Sequence, residues 1–217
     1  MTAGGIFALL VCGGLLLLGT GVFKVGTSIR ELLTENKRLK EAISNLTETD
    51  RIGAARVVSK ELRDGRLYTK LVFGEYDRHT GRRFIQKKTF EIHGDIVHFD
   101  ALIVKFGDPL IKQGEKSLFI WRRIYGDKTA PEQGQPINDP NEAPKRYTDL
   151  FDGLPENQEK MFWDSMWELA HDRDKLEQYG ITAIYGSGPY IRVEPGFLYI
   201  FKFTSTGLIY PEIQPML

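Results

Sequence analysis

Glu91, His93, Asp95, His98 and Asp100 crowd carboxylates and imidazoles into ten residues. Such side chains together can hold a divalent cation or move a proton. Their spacing sets the condition. If Gly94-Asp95 is a two-residue hairpin loop, His93 pairs with Ile96 and Glu91 faces His98. Asp100 then shares the face of His98. Glu91, His98 and Asp100 are therefore the candidate metal ligands. The plainer reading is a cross-strand Glu–His pair on a solvated sheet face. With no metal-binding motif to support the sharper reading, we assign no catalytic residue, no metal and no cofactor.

Two further groups could carry chemistry. Arg78, His79, Arg82, Arg83, Lys87 and Lys88 make a basic hairpin, which reads as a solvated turn diluted by Glu75 and Asp77. Tyr185-Gly186-Ser187-Gly188 resembles a nucleophile turn, but Tyr185 stands where that motif needs its first glycine. A glycine turn entering a strand accounts for it. Phosphate-loop, dinucleotide, zinc-protease and calcium-loop motifs are missing. The formal net charge is zero, and no nucleic-acid module is present, so nucleic acid is not an expected partner.

Strands must position these residues. Ile52–Leu62, Leu67–Tyr76, Phe84–His93, Ile96–Phe106 and Leu118–Tyr125 are rich in β-branched and aromatic residues and separated by turn signals. They predict an antiparallel meander or a small, partly open barrel over 51–126. A loop or linker rich in Pro, Gly and Asn follows at 127–149. The segment 150–217 reads as a helix-plus-hairpin subdomain. Its helix starts near Pro155 and carries Phe162, Trp163, Met166 and Trp167 on one face. Those aromatics are core rather than a cofactor box.

The N-terminus reads differently. Ala3–Phe23 has no charged residue and spans roughly 31 Å as a helix, the thickness of a bilayer core. Residues 1–23 are thus the expected transmembrane anchor, in contact with lipid. From there a heptad pattern runs through 24–49. Ile29, Asn36 and Ile43 take its a positions; Val25, Leu32, Leu39 and Leu46 take d. This predicts a coiled-coil stalk that pairs the chain into a homodimer or another coiled-coil oligomer. Basic residues after the span, with none before it, favour a cytoplasmic soluble part by the positive-inside rule. The only cysteine is Cys12, so the rest of the chain has no disulfide.

The sequence therefore predicts an α+β, single-pass protein of a membrane, with a bacterial inner membrane as the expected location. Its expected role is that of a non-enzymatic scaffold in a membrane-associated assembly, with unidentified proteins of that complex as partners. The alternatives are a tethered sensor or ligand-binding domain and, behind it, a metal-dependent enzyme.

Overall fold

Alternating apolar and polar residues, broken by short glycine-containing turns, give the chain mostly strand. The computed structural model describes residues 41, 51–106, 116–139, 142–152, 155–169, 181–204 and 208–216. Nine strands are found among them: β1 (Arg51–Arg63), β2 (Arg66–Tyr76), β3 (Phe84–His93), β4 (Ile96–Phe106), β5 (Lys116–Gly126), β6 (Gln135–Pro136), β7 (Ile181–Arg192), β8 (Phe197–Phe203) and β9 (Ile209–Pro215). They form two antiparallel sheets, in the orders β3-β2-β1-β8-β9 and β6-β5-β4-β7. Two 3-10 segments (Pro131–Gln133, Lys145–Phe151) and one α-helix, α1 (Glu156–Leu169), complete the described elements.

The expected α+β class is corrected accordingly to two antiparallel sheets. The strands expected to form a separate hairpin subdomain instead finish the sheets, because β7 pairs with β4 and β8 with β1. The single-pass location in a membrane and the coiled coil are also corrected. No helix among the described residues is long and apolar enough to cross a membrane, and the longest, α1, has 14 residues and carries charges along its length. Residues 1–23 and 24–49, on which the anchor and stalk rested, lie outside the described residues, apart from helical Glu41. So do the seam residues Val25, Ile29, Leu32, Asn36, Leu39, Ile43 and Leu46.

The Gly94-Asp95 step is not a hairpin. β3 and β4 belong to different sheets, and the chain crosses between them here. Gly94 sits at φ 95°. Its N–H donates to Leu67 O at 2.8 Å, and its carbonyl accepts from Thr69 Oγ1 at 2.7 Å. Asp95 anchors the far side through Lys60 (3.3 Å) and Arg192 (3.1 Å). By contrast, the expected turn at 63–66 forms, with Asp64 and Gly65 both at positive φ, as a two-residue hairpin requires.

Aromatic rings fill the space between the sheets. Trp121 meets Phe73, Phe119 and Phe201 edge-on at centroid distances of 5.1, 4.7 and 5.3 Å. Its indole N–H donates to Ile52 O across the sheets at 3.2 Å. The other face of β4 and β5 is buried too, through Leu102, Val104, Leu118 and Ile120. The helical segments carry a matching apolar set in Leu150, Phe151, Phe162, Trp163 and Met166. Tyr147 ties them to β5: its hydroxyl accepts from Phe119 N–H at 2.8 Å and donates to Phe119 O at 3.0 Å.

Open sheet edges invite other strands, and here those at β3, β9 and the β6 side of β5 are blunted. Along β5, Ile137 N–H bonds Arg122 O (2.7 Å) and Asn138 bonds Trp121 O (2.9 Å). On β3, the Gln135 side chain donates to Glu91 O at 2.6 Å. On β9, Met216 N–H points to Gly196 O of the β8 side. Even-numbered amides therefore face β8 and odd-numbered ones face outward. Pro211 and Pro215 occupy outward positions and remove the donor at each.

The β2–β3 turn shows why the basic hairpin is not a free cationic patch. Asp77 accepts from the backbone N–H of His79 (3.1 Å), Thr80 (2.7 Å) and Arg83 (3.1 Å), and from Thr80 Oγ1 (2.7 Å). Burial opposes its charge, but these four donors outweigh it and hold the carboxyl far below the usual carboxylate range. Asp77→Ala is expected to cost on the order of 2–3 kcal/mol at pH 7, as several charge-assisted bonds are lost. A depressed folded-state value stabilises the fold above the ordinary aspartate range, near about 4. That stabilisation drains away as the pH falls below it. Urea midpoints of both proteins should therefore converge on acidification; a constant gap from pH 7 to 2 would refute this account.

Candidate functional site

The three residues that could have formed a metal centre do not converge. Glu91 lies exposed on the five-stranded sheet, where Arg63 pairs with it at 2.6 Å. That ion pair holds its carboxyl below the ordinary range. His98 and Asp100 lie on the four-stranded sheet. His98 stacks between Tyr125 and Tyr190, at 4.8 and 5.6 Å. Asp100 is buried and faces Arg123 (2.8 Å) and Arg122 (3.4 Å). Among the described residues no group of three His, Cys, Asp or Glu side chains is placed to hold a metal ion. His93 stacks on Tyr68 at 5.3 Å.

The basic hairpin divides in two. Arg78 donates two hydrogen bonds to the Asp149 carboxylate (3.1 and 2.5 Å), and His79 joins it at 2.8 Å. Lys88 donates to Ile137 O at 2.6 Å. Arg78 and His79 thus fasten the turn to the 3-10 segment Lys145–Phe151, and Lys88 ties β3 to Ile137. Lys87 points elsewhere, over the ring of Phe84 at 4.6 Å.

Glu75 is the one fully buried carboxylate on β2. It accepts from Gln86 (2.6 Å) and Asn138 (3.4 Å), and desolvation raises its pKa. Arg146 beside it donates to Tyr76 O. With Glu75 fully buried, this network ties Asn138 and Arg146 to β2 and β3 and offers nothing to a substrate.

A recess of about 140 Å³ lies on the outer face of the five-stranded sheet. Ala54 and Gly74 are cross-strand partners on β1 and β2, and they form its floor. Two small residues side by side leave a hollow where larger ones would stand. Phe84 lies over Gly74: a Cβ at residue 74 would meet its ring at 2.5 Å. Tyr76 stacks on Phe84 at 4.3 Å and fixes that wall. Val72 and Leu198 make the opposite sides. Arg56 and Lys87 stand exposed at the rim. Neither has an ion-pair partner among the described residues. The acidic groups on this face are already engaged, Glu91 by Arg63 and Glu212 by Lys202 (2.8 Å).

A second recess, of about 260 Å³, lies beside the start of α1, among Glu142, Glu156, Glu159, Lys160 and Asp164. Glu156 and Glu159 are in the first helical turn, where the helix dipole favours negative charge. Lys160 pairs with Asp164 at 2.8 Å. Helix stability explains this crevice.

Sequence reasoning missed the sheet-face recess, whose parts come from β1, β2, β3 and β8. The local sign was the small residues Gly53-Ala54-Ala55 on β1 and Gly74 on β2.

No protein-family model, curated protein or solved structure matches the chain.

Proposed function

We propose that this chain is a non-enzymatic docking subunit of a protein assembly, holding a partner protein against the outer face of its five-stranded sheet. The recess between Ala54, Gly74, Phe84 and Leu198 carries this reading. The outer face of this sheet carries an apolar cluster of Ala54, Tyr76 and Ile200, with Phe84 and Leu198 packed against it, and the hollow opens within it beside a charged rim. Its volume, about 140 Å³, is well below the roughly 300–1,000 Å³ of small-molecule and cofactor sites. It suits a single anchoring side chain, the kind of contact that dominates protein interfaces. Burying such a side chain contributes about 1.5–3 kcal/mol. A ligand-binding role would draw on a hollow interior, and the space between these sheets is packed with aromatic rings.

The test places a photo-crosslinking amino acid at Thr89, exposed on β3 opposite Val72. Irradiation in cells should give an adduct of defined mass. Adding Ala54→Leu, which fills the floor, should abolish it; Ala54 is itself buried, so an overpacking cost of about 1–3 kcal/mol is expected, and urea denaturation should show the variant still folded. An adduct that survives the filled floor, or none above background, would overturn the docking role.

A further inference from the structure

We infer that the occupant of this recess is an acidic peptide segment of the partner, with one apolar anchor flanked by carboxylates. This rests on the docking reading and adds the chemistry of the partner. Two observations carry it. The first is size. A cavity of about 150 Å³ holds a benzene ring, so about 140 Å³ takes one phenylalanine or leucine side chain. A lipid acyl chain has no room in it.

The second is charge. Arg56 and Lys87 are exposed and make no ion pair among the described residues, Lys87 lying over the Phe84 ring, while the neighbouring acids Glu91 and Glu212 already have cationic partners. The two cations stand on β1 and β3, with β2 between them. Two strand spacings put their backbones roughly 10 Å apart across the sheet. Carboxylates two residues on either side of an anchor span about 13 Å in an extended chain. A single segment can therefore seat its anchor over Ala54 and Gly74 and reach both cations.

The probe is a fluorescein-labelled, blocked peptide Gly-Asp-Glu-Phe-Glu-Asp-Gly, titrated by anisotropy against the full chain at low and high salt. Three companions are titrated with it: glycine for phenylalanine, lysines for all the acids, and vesicles of anionic phospholipid. The first peptide should bind, and binding should weaken at least tenfold without its phenylalanine. The double variant Arg56→Glu/Lys87→Glu, which changes only exposed residues, should also weaken it at least tenfold. That variant should in turn prefer the lysine peptide. Equal binding of the acidic peptide to both proteins would overturn the inference, as would no binding. Binding to vesicles alone would overturn it in favour of lipid. Crosslinking at Thr89 that is lost on Ala54→Leu but kept on charge reversal would leave docking standing and remove only the acidic partner.

Discussion

Trp121→Ala should destabilise the protein by about 3–5 kcal/mol, the range for removing a large buried aromatic. Trp121 is fully buried and is the one ring that meets Phe73, Phe119 and Phe201 together. It also bonds Ile52 O from the opposite sheet. Truncation therefore opens a cavity, strips four edge-to-face contacts, the fourth with Phe99, and leaves a buried carbonyl without its donor. Trp121→Phe separates these effects. It keeps a ring in place and loses the N–H, so it should cost only about 1–2 kcal/mol. Urea denaturation followed by far-UV circular dichroism reads both. An alanine variant within 1 kcal/mol of the parent, or a phenylalanine variant as damaged as the alanine one, would mean that the sheets are held together elsewhere.

The second large effect belongs to Gly188. A methyl group there would lie 1.7 Å from Phe99 O, and that atom is backbone and cannot rotate aside. The close approach occurs at a register shift between β4 and β7, beside His98 and Asp100. Gly188→Ala should force the two strands apart and cost about 3 kcal/mol. Gly196 is the control. It has φ 85° but open space around its missing side chain. Gly196→Ala should therefore cost only about 1 kcal/mol, for a left-handed backbone. Amide exchange in the Gly188 variant should quicken along β4 and β7 before the five-stranded sheet. If both substitutions cost the same, the β4–β7 contact is not as tight as described.

These glycines show where the sequence was readable. The positions of β1 to β5 followed from alternation and turn residues, and Asp64-Gly65 announced its hairpin. The aromatic face of α1 was read as core, and Phe162, Trp163 and Met166 are buried. The Gly94-Asp95 step misled because a tight turn fixes a change of direction and not the sheet that receives the next strand. The distinguishing sign lay in β4 itself. Ala101-Leu102-Ile103-Val104 is an unbroken apolar run, as a strand covered on both faces requires, whereas β3 is interrupted by the exposed polar run Lys87-Lys88-Thr89. The Tyr185–Gly188 motif was read as a turn entering a strand, but it lies within β7. Glycine serves there to let β4 approach. The sheet-face recess was hidden for another reason: Ala54 and Leu198 are neighbours on that face only because β8 returns to pair with β1.

That return has a consequence for how the molecule comes into being. During synthesis, β1, β2 and β3 emerge early and can pair by short hairpins, while one flank of β1 waits for β8. Until some 200 residues have been made, Leu198 is missing and the recess lacks a wall. A chain in which β8 is still to be made thus carries the floor of the recess and both cations but not the Leu198 wall. On the proposed docking role, a partner's anchor would meet a complete recess only after β8 has joined β1.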